Sequence, residues 1–425
     1  MPAYDVEGGI PLSGRIRPAG NKNAALPALA AALLTDEPVT LDNVPRIGDV
    51  QTMLELLRSL GAEAGWEGEN RVRVHARDLR SGDVDADLAK RIRASILLAG
   101  PLLARKGRIA LPPPGGDVIG RRRLDTHVLA LARLGAEIET GPLYRMQTRG
   151  LRGAEIFLDE PSVTATENAI SAAATARGRT VIRNAAAEPH VQELCHMLAG
   201  MGARISGIGT HVLEFEGVDR LGGVHCELGS DHIEVGSFIG LAAVTGGDLL
   251  IENAAVAHLD STLLAFARLG IHCTVEGKDL RVPPGQPLTV RTDIGGAIPK
   301  IDDGPWPAFP PDLTSIALVV ATQCHGTVLV FEKMFESRMF FADKIISMGA
   351  RIVLCDPHRA VVVGPAQLRG GTVESPDIRA GMALLIAALC ADGRSRIHNI
   401  GQIERGYERI DARLRSLGAR IERID

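Results

Sequence analysis

"LARLGAEIE", residues 131–139, begins as a helix-period apolar stretch, stops at Gly135 and continues as an alternating strand. Glycine suits that junction, because a helix C-cap often takes the left-handed backbone conformation. The same phrase returns as "LLRSLGAEA" (56–64), "HMLAGMGARIS" (196–206), "AFARLGIHCTV" (265–275), "KIISMGARIV" (344–353) and "RLRSLGARIE" (413–422). That makes six copies, marked by Gly61, Gly135, Gly202, Gly270, Gly349 and Gly418. A second unit recurs between them, an Ala-rich helix, a turn and a strand, as in "DEPVTLDNV", "KGRIALP", "RGRTVIRNA", "GGDLLIENA", "HGTVLVFEK" and "DGRSRIHNI". One copy would mean little, since glycine follows helices everywhere. Six in one order define a repeat of about 70 residues, longer than the common solenoid periods.

Two polar, glycine-flanked stretches interrupt the rhythm. "LGGVHCELGSDHIEVGSF" (221–238) falls at the midpoint, and "RPAGNKNAALPALAAALL" (17–34) opens the first long helix. The expected fold class is α/β (α+β), with two domains of three repeats facing one another across a cleft of the kind that commonly holds ligands. The expected boundaries are 22–229, carrying the 112–121 loop, and 1–21 plus 230–425.

Composition narrows the function. The chain has 425 residues, 45% hydrophobic and 23% charged, with a net charge of -4, which is a globular profile. It offers no basic field for nucleic acid, and 3% aromatics leaves little for stacking bases. Apolar runs such as "ALLIAALCA" (383–391) fall short of the roughly 20 residues of a membrane helix, so no membrane insertion is expected. The acidic start "MPAYDVEGG" does not read as a secretory signal. Cysteines 195, 226, 273, 324, 355 and 390 are scattered, without disulfide-module density or CxxC spacing, and a reducing cytoplasm is the expected compartment. The chain lacks GxxxxGK[ST], a strand-borne GxGxxG and HExxH.

Chemistry-bearing residues concentrate in loops that precede helices. "AGNKNAAL" places Lys22 and Asn23 where free backbone N–H groups favour anions. "KRIRASILLAG" gives Arg93, "PSVTATEN" gives Ser162 and Thr164, and "PAFPPDLTS" sets Asp312 in what reads as an N-cap position. "FESRMFF" gives Arg338, "SPDIRAGMA" gives Asp377 and Arg379, and "IERGYERI" gives Arg405 and Tyr407. Each arginine alone reads as a surface residue. Together they point to a highly anionic small substrate, because guanidinium groups bind phosphate and carboxylate bidentately.

The ordered set "AGNKNAALPALAAALL", "RIRASILLAGPLLAR", "PGGDVIGRRRLDTHV", "PAFPPD", "FESR" and "RGYERI" resembles the enolpyruvyl transferases over essentially the whole chain. That resemblance implies two inside-out α/β barrel-like domains of three repeats each. It implies transfer of the enolpyruvyl group of phosphoenolpyruvate to the 3′-hydroxyl of UDP-N-acetylglucosamine, by addition and elimination through a tetrahedral intermediate. Phosphate is released, and the step is the first committed one of peptidoglycan synthesis. No metal or organic cofactor is implied. By the same resemblance Lys22 and Asn23 bind phosphoenolpyruvate and the intermediate, and Arg93, Arg122, Arg338, Arg379 and Arg405 add charge for phosphate, carboxylate or diphosphate. Asp312 takes the hydroxyl proton, and Asp117 stands in the place of the proton donor. Lys22 and Arg405 count with these two as catalytic. Arg123, Leu124, Asp125, Thr126, Glu160, Ser162, Val163 and Met334 complete the substrate-binding set.

The sequence departs from the family pattern in five places. Asp117 replaces the usual cysteine, the residue that fosfomycin alkylates. A free carboxyl gives up its proton near pH ~3.9 and a free thiol near ~8.5, so a more acidic pH optimum and fosfomycin resistance are expected. Arg123 stands for proline, Thr126 for an apolar residue, Glu160 for lysine and His232 for arginine. A glutamate beside a diphosphate is unfavourable unless Arg123 compensates. A monomer or weak homo-oligomer is expected. Two alternatives stay open, a different nucleotide acceptor and a non-catalytic binding paralogue.

Overall fold

A helix without a polar face has to be surrounded on every side. The chain has a set of such helices: Lys22–Ala31, Ala99–Lys106 with its 3-10 lead-in Arg93–Leu98, Val163–Ala173, His232–Thr245, Thr314–Thr322 and Ile378–Cys390. The computed structural model, which describes residues 2–80, 82–117 and 119–424, buries them almost completely, apart from the last turn Ala104–Lys106.

The chain divides into two compact units. One comprises Met1–Ala19, Val118–Arg121 and Ser230–Asp425, and the other Gly20–Asp117 and Arg122–Gly229. Within the first, the helices His232–Thr245, Thr314–Thr322 and Ile378–Cys390 pack mutually. Within the second, Lys22–Ala31, Arg93–Lys106 and Val163–Ala173 do the same. The sheets lie outside the helices, which is the inside-out arrangement.

The described residues form six sheets, one per repeat. Gly14–Ile16 runs parallel to Leu249–Ile251, which pairs antiparallel with Asp279–Val282, and that strand with Thr274–Glu276. The same order recurs in four other sheets. The sixth, Arg108–Leu111, Tyr144–Gln147 and Glu137–Glu139, has three strands, with an isolated bridge between Asp83 and Ala110 beside it. Strand Ala3–Glu7 completes the last repeat by pairing with Arg394–His398 and Arg420–Ile424. All six repeat glycines have positive φ, from 77° at Gly270 to 108° at Gly349.

A recurring asparagine pins the turns that lead into inner helices. Asn43, Asn184 and Asn399 adopt φ of 56° to 57°, a conformation that Asn tolerates. Their Nδ2 groups donate to the carbonyls of Leu228, Leu158 and Ser375 at 2.8 to 2.9 Å. Each of those carbonyls lies a few residues before an inner helix.

One boundary needs correcting. The sequence assigned the whole 112–121 loop to the 22–229 domain, but Val118–Arg121 groups with the other unit. The cause is local: Ser337 N donates to Ile119 O at 3.2 Å, and Arg121 N to a Glu336 carboxylate oxygen at 3.0 Å. No helix among the described residues is long and apolar enough to cross a membrane.

Gly100 shows how tightly the inner helices approach. Its N–H donates to Asn168 Oδ1 at 2.8 Å, and a Cβ there would lie 2.5 Å from the Asn168 carbonyl oxygen. Gly100→Ala should therefore lower unfolding stability by about 1–3 kcal/mol, read as a lower urea midpoint with unchanged slope.

Candidate active site

In the unit that contains Ser230–Asp425, the candidates Asp312 and Arg379 stand at the starts of inner helices. The prolines of "FPPD" lead into a 3-10 turn, Pro311–Leu313, that runs directly into the Thr314–Thr322 helix. Asp312 does not cap that turn, contrary to its sequence reading. Its Oδ1 instead accepts from Arg338 Nη2 and its Oδ2 from Arg379 Nε, both at 3.0 Å. Arg338 begins the Arg338–Phe341 turn. Arg379 is the second residue of its helix, where Asp377 as N-cap accepts from the backbone N–H groups of Arg379 and Ala380 at 2.8 and 2.9 Å.

Both arginines are about 96% buried or more. Burial works against the charge on Arg338, but Asp312, Glu332 and Asp377 outweigh it and hold the guanidinium above its ordinary range. Arg379 is held well above it in the same way, against burial, by Tyr407, Asp312 and Asp231. Its guanidinium lies over the Tyr407 ring, 5.4 Å from the centroid, and Tyr407 Oη meets Ser237 Oγ at 3.0 Å. Among the described residues, Arg379 Nη1 and Arg338 Nε have no hydrogen-bond partner. Buried cationic donors of this kind call for an anion.

The remaining sequence candidates in this unit are Arg405 and Met334. Arg405 is half-buried and donates to Gln402 Oε1 at 2.8 Å. Met334 is exposed, and its N–H donates to Glu332 Oε1 at 3.2 Å. Glu336 holds the loop: besides accepting from Arg121 N, its Oε2 lies where a Cβ on Gly120 would be, 2.4 Å away, at φ +129°. His232 is buried, with edge contacts to His258 and Trp306 at 6.4 and 6.3 Å. Burial, then the neighbouring His258 and Arg379, push it down to about 3, so it carries no charge at neutral pH.

In the other unit, Lys22 opens its helix beneath the Asn21 cap, whose Oδ1 accepts from Asn23 N at 2.8 Å and Ala24 N at 3.3 Å. Buried Lys22 Nζ pairs with Asp49 Oδ2 at 2.9 Å, and Asn23 is half-buried. Arg93 Nη2 donates to the carbonyls of Arg122 and Arg123, at 2.8 and 3.2 Å, and so clamps the loop's backbone. Burial and the neighbouring Arg122 charge push its guanidinium down to about 10. Asp117 follows two glycines that pack against the same segment. A Cβ on Gly115 would lie 1.6 Å from Lys90 O, and one on Gly116, at φ +99°, 2.8 Å from Arg93 Cβ.

Arg123 is not a bare cation. It pairs with Asp125 at 3.0 Å and Asp159 at 3.5 Å, and the Glu160 charge acts on it as well. Thr126 Oγ1 donates to Asp159 Oδ1 at 2.7 Å. Leu124 is half-buried. Ser162 caps its helix through Oγ to Ala165 N at 3.4 Å, its N–H donates to Glu160 O at 2.8 Å, and Val163 is the first helical residue.

Sequence reasoning missed Asp49, Asp159 and the pair His127–Asn168. Asn168 Nδ2 donates to Ile96 O and to His127 Nδ1, both at 2.9 Å, which leaves His127 Nε2–H for Thr164 Oγ1 at 3.0 Å. Burial, then the Arg93 charge, push His127 down to about 3. Asp49 lies in the first turn of the Gly48–Ser59 helix, and nothing local marks its partner.

A family model described as EPSP synthase (3-phosphoshikimate 1-carboxyvinyltransferase) matches residues 6–414. The chain is 61% identical, over 99% of its length and 98% of the relative's, to a Bradyrhizobium diazoefficiens protein named UDP-N-acetylglucosamine 1-carboxyvinyltransferase. A Treponema denticola protein of the same name is 56% identical over 99% of both chains. Among solved structures, the enolpyruvyl transferase NikO from Streptomyces tendae superposes with a TM-score of 0.88 at 24% identity, covering 99% of this chain and 98% of its own. EPSP synthase from Acinetobacter baumannii gives 0.75 at 17% identity over 100% of each. At those identities the two structures speak for the fold.

Two of the buried histidines, His127 and His232, set an acid limit. Their folded values lie at about 3, below the ordinary 6.5, so the unfolded chain binds protons first as pH falls. Their contribution to stability is whole above about pH 6.5 and is lost progressively toward pH 3. The urea midpoint should fall between pH 7 and pH 4, and His127→Gln should fall less steeply over the same range.

Proposed function

We infer the reaction from one premise: the chain belongs to the EPSP synthase family of enolpyruvyl transferases. It transfers the enolpyruvyl group of phosphoenolpyruvate to the 3′-hydroxyl of UDP-N-acetylglucosamine with release of phosphate, the first committed step of peptidoglycan synthesis. The acceptor follows from the full-length relatives and their names. The chemistry rests on one observation, the Asp312 carboxylate clasped by two buried arginines that still hold unpartnered N–H donors.

The substrate is an anion that must become a cation-like centre at one carbon. Asp117 delivers a proton to the methylene carbon while the sugar oxygen attacks the neighbouring carbon, forming the tetrahedral intermediate. Loss of the same kind of proton and departure of phosphate then give the enol ether. Arg338, Arg379 and Arg405 serve phosphate and carboxylate, and the family pattern also gives anion binding to Lys22, Asn23 and Arg122. These fixed cations stabilise the charge that develops. Incoming anionic oxygens compete with Asp312 for Arg338 and Arg379. The released carboxylate then accepts the hydroxyl proton as general base. Leu124, Asp125, Ser162, Val163 and Met334 hold the nucleotide sugar, and Arg93 positions the loop.

The acidic cluster near the acceptor is balanced within the protein. Arg123 neutralises Asp125 and Asp159, and it offsets Glu160 where the family has a lysine. The reading places the enzyme in the cytoplasm, as a monomer or weak homo-oligomer.

Purified protein should release phosphate from phosphoenolpyruvate only when UDP-N-acetylglucosamine is present. Release with another nucleotide alone would replace the acceptor. Asp312→Asn should lose ~10²–10⁴-fold in turnover while still binding phosphoenolpyruvate, since its cations remain. An unchanged turnover would remove Asp312 from the mechanism.

The donor can be tested by exchange. Fosfomycin should not inactivate the natural protein. Asp117→Cys should become inactivated in a time-dependent way and shift its pH optimum upward, and inactivation of the natural protein would overturn the resistance.

A further inference from the structure

The deepest unexplained charges lie behind Arg338. Strands Lys300–Asp302 and Gly326–Phe331 run parallel, with Asp302 opposite Phe331. The next residues in each are Asp303 and Glu332, both wholly buried. Two carboxylates in neighbouring register repel. Each is held on one side by backbone: Asp303 Oδ1 accepts from Lys333 N at 2.5 Å, and Glu332 Oε1 from the N–H groups of Met334 and Phe335 at 3.2 and 3.0 Å. Their other oxygens, Asp303 Oδ2 and Glu332 Oε2, have no well-formed hydrogen bond to another group among the described residues, and the two carboxyls face each other with the Thr314 hydroxyl beside them. Glu332 Oε2 lies 3.8 Å from Arg338 Nε, which also has none.

We propose that Glu332 and Asp303 are positioning residues that share one proton, and that the proton's presence leaves the charge of Arg338 available to the phosphate or carboxylate of phosphoenolpyruvate. The inference rests on the reading of Arg338 as an anion-binding residue. With the proton in place, Glu332 is a neutral acid and Arg338 faces Asp312 and the substrate. When it is lost, the new carboxylate draws Nε inward and competes with the substrate for the same guanidinium.

The surroundings agree with a switch near neutrality. Burial pushes the Glu332 carboxyl up to about 8, against the pull of Arg338 and with the help of the Asp303 charge. The Thr314 hydroxyl, from the head of the inner helix, faces the pair and favours the ionised form. His358 Nδ1 meets the Glu332 backbone carbonyl at 2.7 Å rather than its carboxyl, and Lys333 Nζ turns away to Asp302 at 2.8 Å. Beyond Arg338 stand Asp312, Asp377 and Arg379. The single cation in contact does not offset two buried anions, which is why one proton stays.

The test is KM and kcat for phosphoenolpyruvate from pH 6 to 9.5 at saturating UDP-N-acetylglucosamine, in the natural protein, Glu332→Gln, Asp303→Asn and Arg338→Lys. The natural protein's KM should climb above about pH 8, relative to Glu332→Gln, by up to tenfold per pH unit. Asp303→Asn removes the neighbouring charge, so its climb should begin at lower pH. A purely structural role would not move the two profiles in opposite directions. The residue at 117 is common to all four proteins, so it does not distinguish their profiles. Parallel profiles for the natural protein and Glu332→Gln would overturn the switch. If Glu332→Gln does not fold, the direction of the Asp303→Asn shift decides, and an unshifted or raised onset overturns it. Unchanged KM and kcat in Arg338→Lys would instead reject the role of Arg338 itself.

Discussion

Burying a helix on every side is the constraint from which the rest of the molecule follows. Thr314–Thr322 is buried along its whole length, and His232–Thr245 and Ile378–Cys390 nearly so. Such a helix cannot carry function on a face. Its only group accessible to chemistry is its N-terminal end, where N–H donors lack intrahelical partners and the dipole favours anions. The candidate residues stand there in both units: Lys22 and Asn23, Arg93, Ser162 and Val163 in one, Asp312 and Arg379 in the other. The sheets are then the wrapping, and the repeat glycines and turn asparagines are what let each wrapping strand return in register.

Putting arginines at such ends is costly unless something repays it. Arg338 and Arg379 are desolvated, and a buried ion pair on its own is weak evidence of stability. Apolar residues of similar volume would serve the fold as well or better. Retaining two guanidiniums, one carboxylate between them and two more carboxyls behind one of them is a violation of ordinary core composition, and such violations gather at functional sites. The unpartnered donors of Arg338 and Arg379 point the same way, because a stable core would have satisfied them internally.

The fold was legible because repetition multiplies a weak signal. A glycine after a helix says little once and a great deal six times, and the glycines so marked have the left-handed conformation that the reading required. Helix starts were legible for the same chemical reason: Asp377 and Ser162 cap as their types suggest. Asp312 had the same local signature and does something else, since the partners that claim it lie 26 and 67 residues away. Asp49, Glu332 and Asp303 were invisible, because a buried acid in a strand or first turn is recognised only by what faces it. Pairings across a unit are set by packing, and one sequence does not print packing.

Charge near the loop was legible by type but not by partner. Three consecutive arginines suggest a cationic surface, yet they end in three different environments. Arg121 gives its backbone N–H to Glu336, Arg122 gives its carbonyl to Arg93, and Arg123 is spent on Asp125 and Asp159. Arg121 and Arg122 therefore also act through the main chain, fixing where the loop runs, while the Arg122 charge is still felt by Arg93. The same loop packs Gly115 and Gly116 against Lys90 and Arg93 so closely that no side chain fits. An acid at position 117 is thus held by backbone contacts that do not depend on its own identity. The scaffold of the loop places the residue at 117, and the chemistry of its side chain is left free to differ.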